Sequence, residues 1–160
     1  MKTRWFRERE AWAFIGWRYL PWLAGLNLAW EVLQLPLYTI WSEASAGYIA
    51  FAVVHCTLGD VVIGWASLVL ALVLGREGTL PQWHWLRIGG LMVILGPGYT
   101  MFSEWLNTTL FRWRYSELMP TVNIGGMDFG VSPLLQWLLL PPLALYLARR
   151  NQNERQPVSR

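Results

Sequence analysis

Three carboxyl side chains interrupt stretches that are otherwise almost wholly apolar. Glu31 lies in WLAGLNLAWEVLQLPLYTIW, Asp60 in IAFAVVHCTLGDVVIGWASLVLALVL and Glu104 in LMVILGPGYTMFSEWLNTTLF. In hydrocarbon a carboxylate is costly unless it is protonated, paired or beside water, so such a group marks a functional site by default. Two carboxyls brought together share a proton or flank a guest, and the protonated member is then a general acid. Glu31 and Glu104 are read as that pair. Asp60 is a third carboxyl, and Gly64 one turn further on also suits a close helix contact. The competing reading for all three is structural: a protonated side chain donating a hydrogen bond to the next helix.

His55 is the histidine inside the apolar runs, where a neutral imidazole can relay protons or bind a metal. Five residues separate it from Asp60, which turns the two about 140° apart on an ideal helix. They need not serve one site. Cys56 points about 100° away from His55 and reads as a small packing residue. There is no H-x-x-x-H, no E-x-x-H and no second cysteine, so no metal-ligand spacing is present, and nothing designates a cofactor.

At about 100° per residue the acids have polar company. Asn27, Glu31 and Gln34 share one face, as do Thr100, Glu104, Asn107 and Thr108, Cys56 with Asp60, and Ser132 with Gln136. Glu31, Glu104, His55 and Asp60 are therefore the candidate catalytic set. Asn27, Gln34, Asn107 and Gln136 are hydrogen-bonding anchors for a guest. Arg112 and Arg114 can grip a lipid phosphate at the mouth, although a belt of snorkelling arginines and aromatics accounts better for RWRY.

These side chains need elements long enough to carry them through a bilayer. Hydrophobic residues make up 54% of the 160-residue chain and charged ones 14%, well below the roughly 25% of soluble domains. The mean hydropathy of +0.29 is depressed by twelve tryptophans, which favour membrane interfaces. The expected class is all-α: a polytopic membrane protein with four spans, 19–41, 48–74, 88–111 and 131–147. A basic, aromatic interfacial helix over 1–18 precedes them, and a disordered tail over 148–160 follows. Gly96-Pro97-Gly98 is expected either to kink the third span or to ease packing, and Pro141-Pro142 to break the fourth. The long 112–130 connection, with its SELMP stretch and Asp128, can act as a lid.

Eleven Lys/Arg fall in the 1–18, 75–87 and tail segments against two in 112–130 and none in 42–47, which puts both termini in the cytoplasm of a cell (inner) membrane. The net charge of +3 thus reports topology, not nucleic-acid binding. With a rise of about 1.5 Å per residue, Glu31 lies roughly 18 Å from the cytoplasmic edge and Glu104 and Gln136 in the outer third, so the stripes can converge on a cavity open to the non-cytoplasmic side. The expected function is acid–base chemistry on a lipid-like molecule within the bilayer. The alternative is a non-catalytic membrane subunit, a homo-oligomer or a binder of lipid, pigment, cofactor or metal.

Overall fold

The computed structural model describes residues 4–110 and 114–153, which are mostly helical. Helix α1 (Arg9–Phe14) runs through a wide π turn (Ile15–Tyr19) into α2 (Leu20–Gln34). Pro21 removes the amide that would bond the Trp17 carbonyl, and the π turn ahead of it absorbs the mismatch. The helical run then ends at Gln34, short of Trp41. Leu35-Pro36-Leu37 tightens into a 3-10 turn, followed by the four-residue α3 (Ile40–Glu43).

Helix α4 (Ala46–Leu74) starts at Ser45, whose hydroxyl accepts from the Tyr48 amide, and α5 covers Trp85–Thr109. Strands β1 (Thr121–Ile124) and β2 (Met127–Gly130) form an antiparallel hairpin within the long connection, and α6 (Val131–Asn153) follows at once. The hairpin turns on Gly125-Gly126, both at positive φ, which a two-residue turn of this hand requires. Phe111 at the end of the third expected span, Arg112, and residues 154–160 of the expected tail all lie outside the described residues.

The four long helices close a ring, α5 on α6, α6 on α2, α2 on α4 and α4 on α5. Pro141-Pro142 does not end α6. The Trp137 carbonyl, deprived of its amide by Pro141, faces Gly96 of α5, where an added Cβ would sit 3.0 Å from the Trp137 ring. Gly96 therefore serves close packing of α5 on α6, and α5 continues through Pro97. Two helical segments, Ala46–Leu74 and Val131–Arg150, are long and apolar enough to cross a membrane.

The interior is divided along its length. Toward the N-terminal end, Phe14, Ile15, Tyr19 and Leu23 pack against Leu68, Leu72, Ile88, Met92, Ala144 and Ala148, all buried. Toward the other end the buried polar side chains are Asn27, Gln34, Thr57, Thr100, Glu104, Asn107, Ser132 and Gln136, and Val53, Met119 and Phe129 are also buried outside the apolar cluster. One half is an apolar core and the other holds most of the buried polar groups.

The apolar half is closed by the 75–84 loop. Its brace is Glu77, 4% exposed, which accepts from Arg87 Nη2 at 2.7 Å, Arg87 Nε at 3.0 Å and the His84 amide at 3.1 Å. Burial alone would raise the Glu77 carboxyl, but hydrogen bonds from His84 and Arg87 and the guanidinium charge outweigh it and hold it below the usual glutamate range. A lowered value in the folded state adds stability above the unfolded carboxyl pKa of about 4.3, lost as pH falls through the lowered value. Melting of the wild type is therefore expected to be flat from neutral pH to about 5 and to drop below about 4. Glu77→Gln costs about 2 kcal/mol at neutral pH and flattens the acid limb. A thermal melt of both forms across that range checks it, and an unchanged acid limb in the variant counts against the brace.

Candidate functional site

Gln136 of α6 is the hub of the polar half. Its amide nitrogen donates to Asn27 Oδ1 at 2.8 Å, to Asp60 Oδ2 at 2.9 Å and, more weakly, to Glu31 Oε1 at 3.3 Å. Asn27 is oriented for this, because its own nitrogen donates to the Leu23 carbonyl one turn back at 2.8 Å. Gln34 donates to Glu31 Oε1 at 2.7 Å and to Gln136 Oε1 at 3.4 Å, and its oxygen accepts from Ser132 at 2.9 Å. Three helices thus meet through amides that are good donors to carboxyl oxygens.

The Glu31 and Asp60 carboxyls face the same Gln136 amide nitrogen, at 3.3 and 2.9 Å, which holds them side by side across α2 and α4. Carboxylates only accept, so two brought this close repel unless one carries a proton. Neither residue is sealed in: Glu31 and Asp60 are partly exposed, whereas Gln136 and Asn27 behind them are buried. The acids are therefore reachable from outside the bundle.

A second acid lies further along the polar half. Glu104, 5% exposed, accepts from the Tyr115 hydroxyl, which in turn accepts from the Gly130 amide at 3.0 Å. Burial, the hydrogen bond to Glu104 and its charge all push the Tyr115 hydroxyl above its usual range, so it stays protonated and donates. Tyr115 is carried there by the long connection, which is stitched to the turn after α2. Ser116 binds the Leu37 carbonyl through its amide at 2.9 Å and the Pro36 carbonyl through its hydroxyl at 2.8 Å, and the Thr39 amide binds the Arg114 carbonyl at 3.1 Å. Tyr38 and Tyr115 meet with ring centroids 5.8 Å apart.

The two acid groups are linked through the turn after α2: Glu31 lies at the end of that helix, and the turn holds the connection that carries Tyr115 to Glu104. Of the expected residues, Glu31, Asp60, Asn27, Gln34 and Gln136 are joined in one network, with Glu104 beside it. Glu31 shares the Gln136 amide with Asp60, and Glu104 accepts from Tyr115. Asn107 donates to Ser103 on its own helix at 2.8 Å. His55 is exposed on the outer face of α4, its ring stacked on Phe51 at 5.5 Å, and does not join the acids. The Arg114 side chain is exposed, and Arg112 is outside the described residues.

Two participants escape a periodicity reading: Tyr115 reads as part of an interfacial belt, and nothing in the spacing singles out Tyr38. A tyrosine in a connection carries no helical phase, so only the fold of 114–130 reveals its partner. Comparison with protein-family models, curated proteins and solved structures finds no match for this chain.

Proposed function

We propose that this chain is a four-span membrane protein that performs acid–base chemistry on an amphipathic, lipid-like molecule, at a polar site open toward the non-cytoplasmic side. One observation carries the reading: two carboxyls, Glu31 and Asp60, are held side by side across two helices by one buried amide and are still accessible. A purely structural acid pair gains nothing from access, whereas a proton donor requires it. In this scheme the pair delivers and recovers a proton, Gln136 and Gln34 orient it, and Tyr115 with Glu104 offers a second protonated hydroxyl one step outward.

The membrane setting is supported by the outer surface. Only 28% of the apolar window of α4 is buried, unlike a helix at the centre of a soluble core. Phe51, Leu58, Val62, Leu86 and Ile94 are all more than 60% exposed, an apolar surface that needs lipid or a partner. The π turn joins α1 and α2 into an unbroken run from Arg9 to Gln34, and α5 has 25 residues, so both reach the roughly 30 Å of a hydrocarbon core. With both termini cytoplasmic, the polar half lies in the outer leaflet.

A second reading, a binding subunit, rests on His55. An imidazole exposed among Phe51, Val54 and Leu58 would meet lipid in a monomer, and a polar partner would relieve that.

The purified protein, incubated with a total lipid extract of its host, is expected to convert at least one lipid species on mass spectrometry. Glu31→Gln and Asp60→Asn keep the helical circular dichroism of the wild type and abolish the conversion. A folded wild type that converts no lipid species would overturn the catalytic reading, and recovery of a larger complex in the same preparation would favour the subunit.

A further inference from the structure

A cavity of about 970 Å³ opens at the opposite end of the molecule from the acids, between residues 4–6 and the 76–84 loop. We propose that it binds a phosphate-bearing anion attached to an apolar body, as in the headgroup region of an anionic phospholipid. Its polar side is Arg4, Arg76, Gln82 and His84, and its apolar side includes Phe6 and Val73. Glu77 also lines it, but both of its oxygens are engaged by Arg87 and His84. Among the described residues neither Arg4 nor Arg76 has a carboxylate partner, so two exposed, unpaired arginines line the cavity.

The backbone adds a second argument. Arg76 is the one described non-glycine residue at positive φ, 51°, just past the end of α4. Helices commonly give that position to glycine, because a side chain there is strained. Strain held at an arginine whose side chain lines a cavity suits a retained use for its charge. The carbonyl end of α4 does not oppose an anion strongly, since the amides of Gly75, Arg76 and Glu77 already bond to Ala71, Val73 and Leu72. The floor is rigid: Trp5 and Trp83 are buried, and the Leu80 amide is pinned to Glu8 at 2.7 Å. Guanidinium groups bind phosphate oxygens in pairs, and the apolar wall suits the first part of an acyl chain or another hydrophobic body.

Native mass spectrometry of the delipidated protein, titrated with phosphatidylglycerol or phosphatidylcholine, tests this. The wild type is expected to retain phosphatidylglycerol preferentially, and Arg4→Gln/Arg76→Gln to weaken that retention about tenfold. Arg76→Gly, which relieves the backbone strain, should melt no lower than the wild type yet lose several-fold in retention. Arg9→Gln, an exposed arginine outside the cavity, should change nothing. Displacement of the lipid by millimolar inorganic phosphate, or an Arg76-dependent rise in melting temperature with phosphate alone, identifies the phosphate as sufficient. Lipid preference without either effect identifies the intact phospholipid. Equal weakening by Arg9→Gln would reduce the effect to general interfacial charge and overturn the site, as would a wild type with neither lipid preference nor a response to phosphate.

Discussion

Replacing Gln136 with leucine is expected to destabilise the protein by about 3–5 kcal/mol, although the two side chains are similar in size. Leucine fills the volume but donates nothing. Asn27 Oδ1 and Asp60 Oδ2 lose their close donor, Glu31 loses one of two amides, and Gln34 loses an acceptor. Each stranded buried polar group costs about 1–3 kcal/mol, and partial rearrangement keeps the total below the sum. Asp60→Asn added to Gln136→Leu should recover part of the loss, because the new amide can donate to Glu31. Thermal melts of the single and double variants in one detergent measure both effects. A loss below about 1 kcal/mol would mean that the polar half is held by water and not by this amide.

Gly64→Val is expected to cost about 3 kcal/mol, and Gly64→Ala about 2. A Cβ at Gly64 would stand 2.4 Å from Leu23 Cδ2 and 3.2 Å from Cδ1. Leu23 is fully buried in the apolar half, so moving its side chain aside must displace packed neighbours. The Gly64 carbonyl also accepts from the Tyr19 hydroxyl at 3.3 Å, so parting α2 from α4 breaks that bond as well. Leu23→Ala in the Gly64→Val background should restore part of the stability. Gly59, five residues earlier on α4, has nothing within 4 Å of the same added atom, and Gly59→Ala should be neutral or slightly stabilising. Similar losses at both glycines would point to a general intolerance of α4 and remove the close contact as the cause.

These two contacts also fix the site. The Gly64–Leu23 approach and the Tyr19 bond set how far α2 slides along α4, and that register brings Asp60 level with Glu31. A shift of one helical turn, about 5.4 Å, would part the carboxyls and leave Gln136 with one acid. The apolar half thus acts as the clamp for the polar half.

Much of the site could be read from spacing alone. The helical period puts Asn27, Glu31 and Gln34 on one face, and all three enter the network. The same arithmetic separates His55 from Asp60 by about 140°, and the two do point apart, one outward and one inward. Periodicity works within a helix because a side chain's direction there depends on its position in the chain and on nothing else. It also identified the long apolar segments and the carboxyls set into them.

Which acids meet was decided only by the packing. Glu31 meets Asp60 because α2 lies on α4, whereas Glu104 is taken up by a tyrosine from a connection that folds back over the helix ends. The end of α2 at Gln34, the unbroken α6 through two prolines and the hairpin at Gly125-Gly126 likewise depend on neighbours. Sequence period describes each helix about its own axis; the distance between side chains on different helices follows from crossing and register. Those are set by close contacts such as Gly64 on Leu23 and Gly96 on Trp137, which no one-dimensional pattern contains.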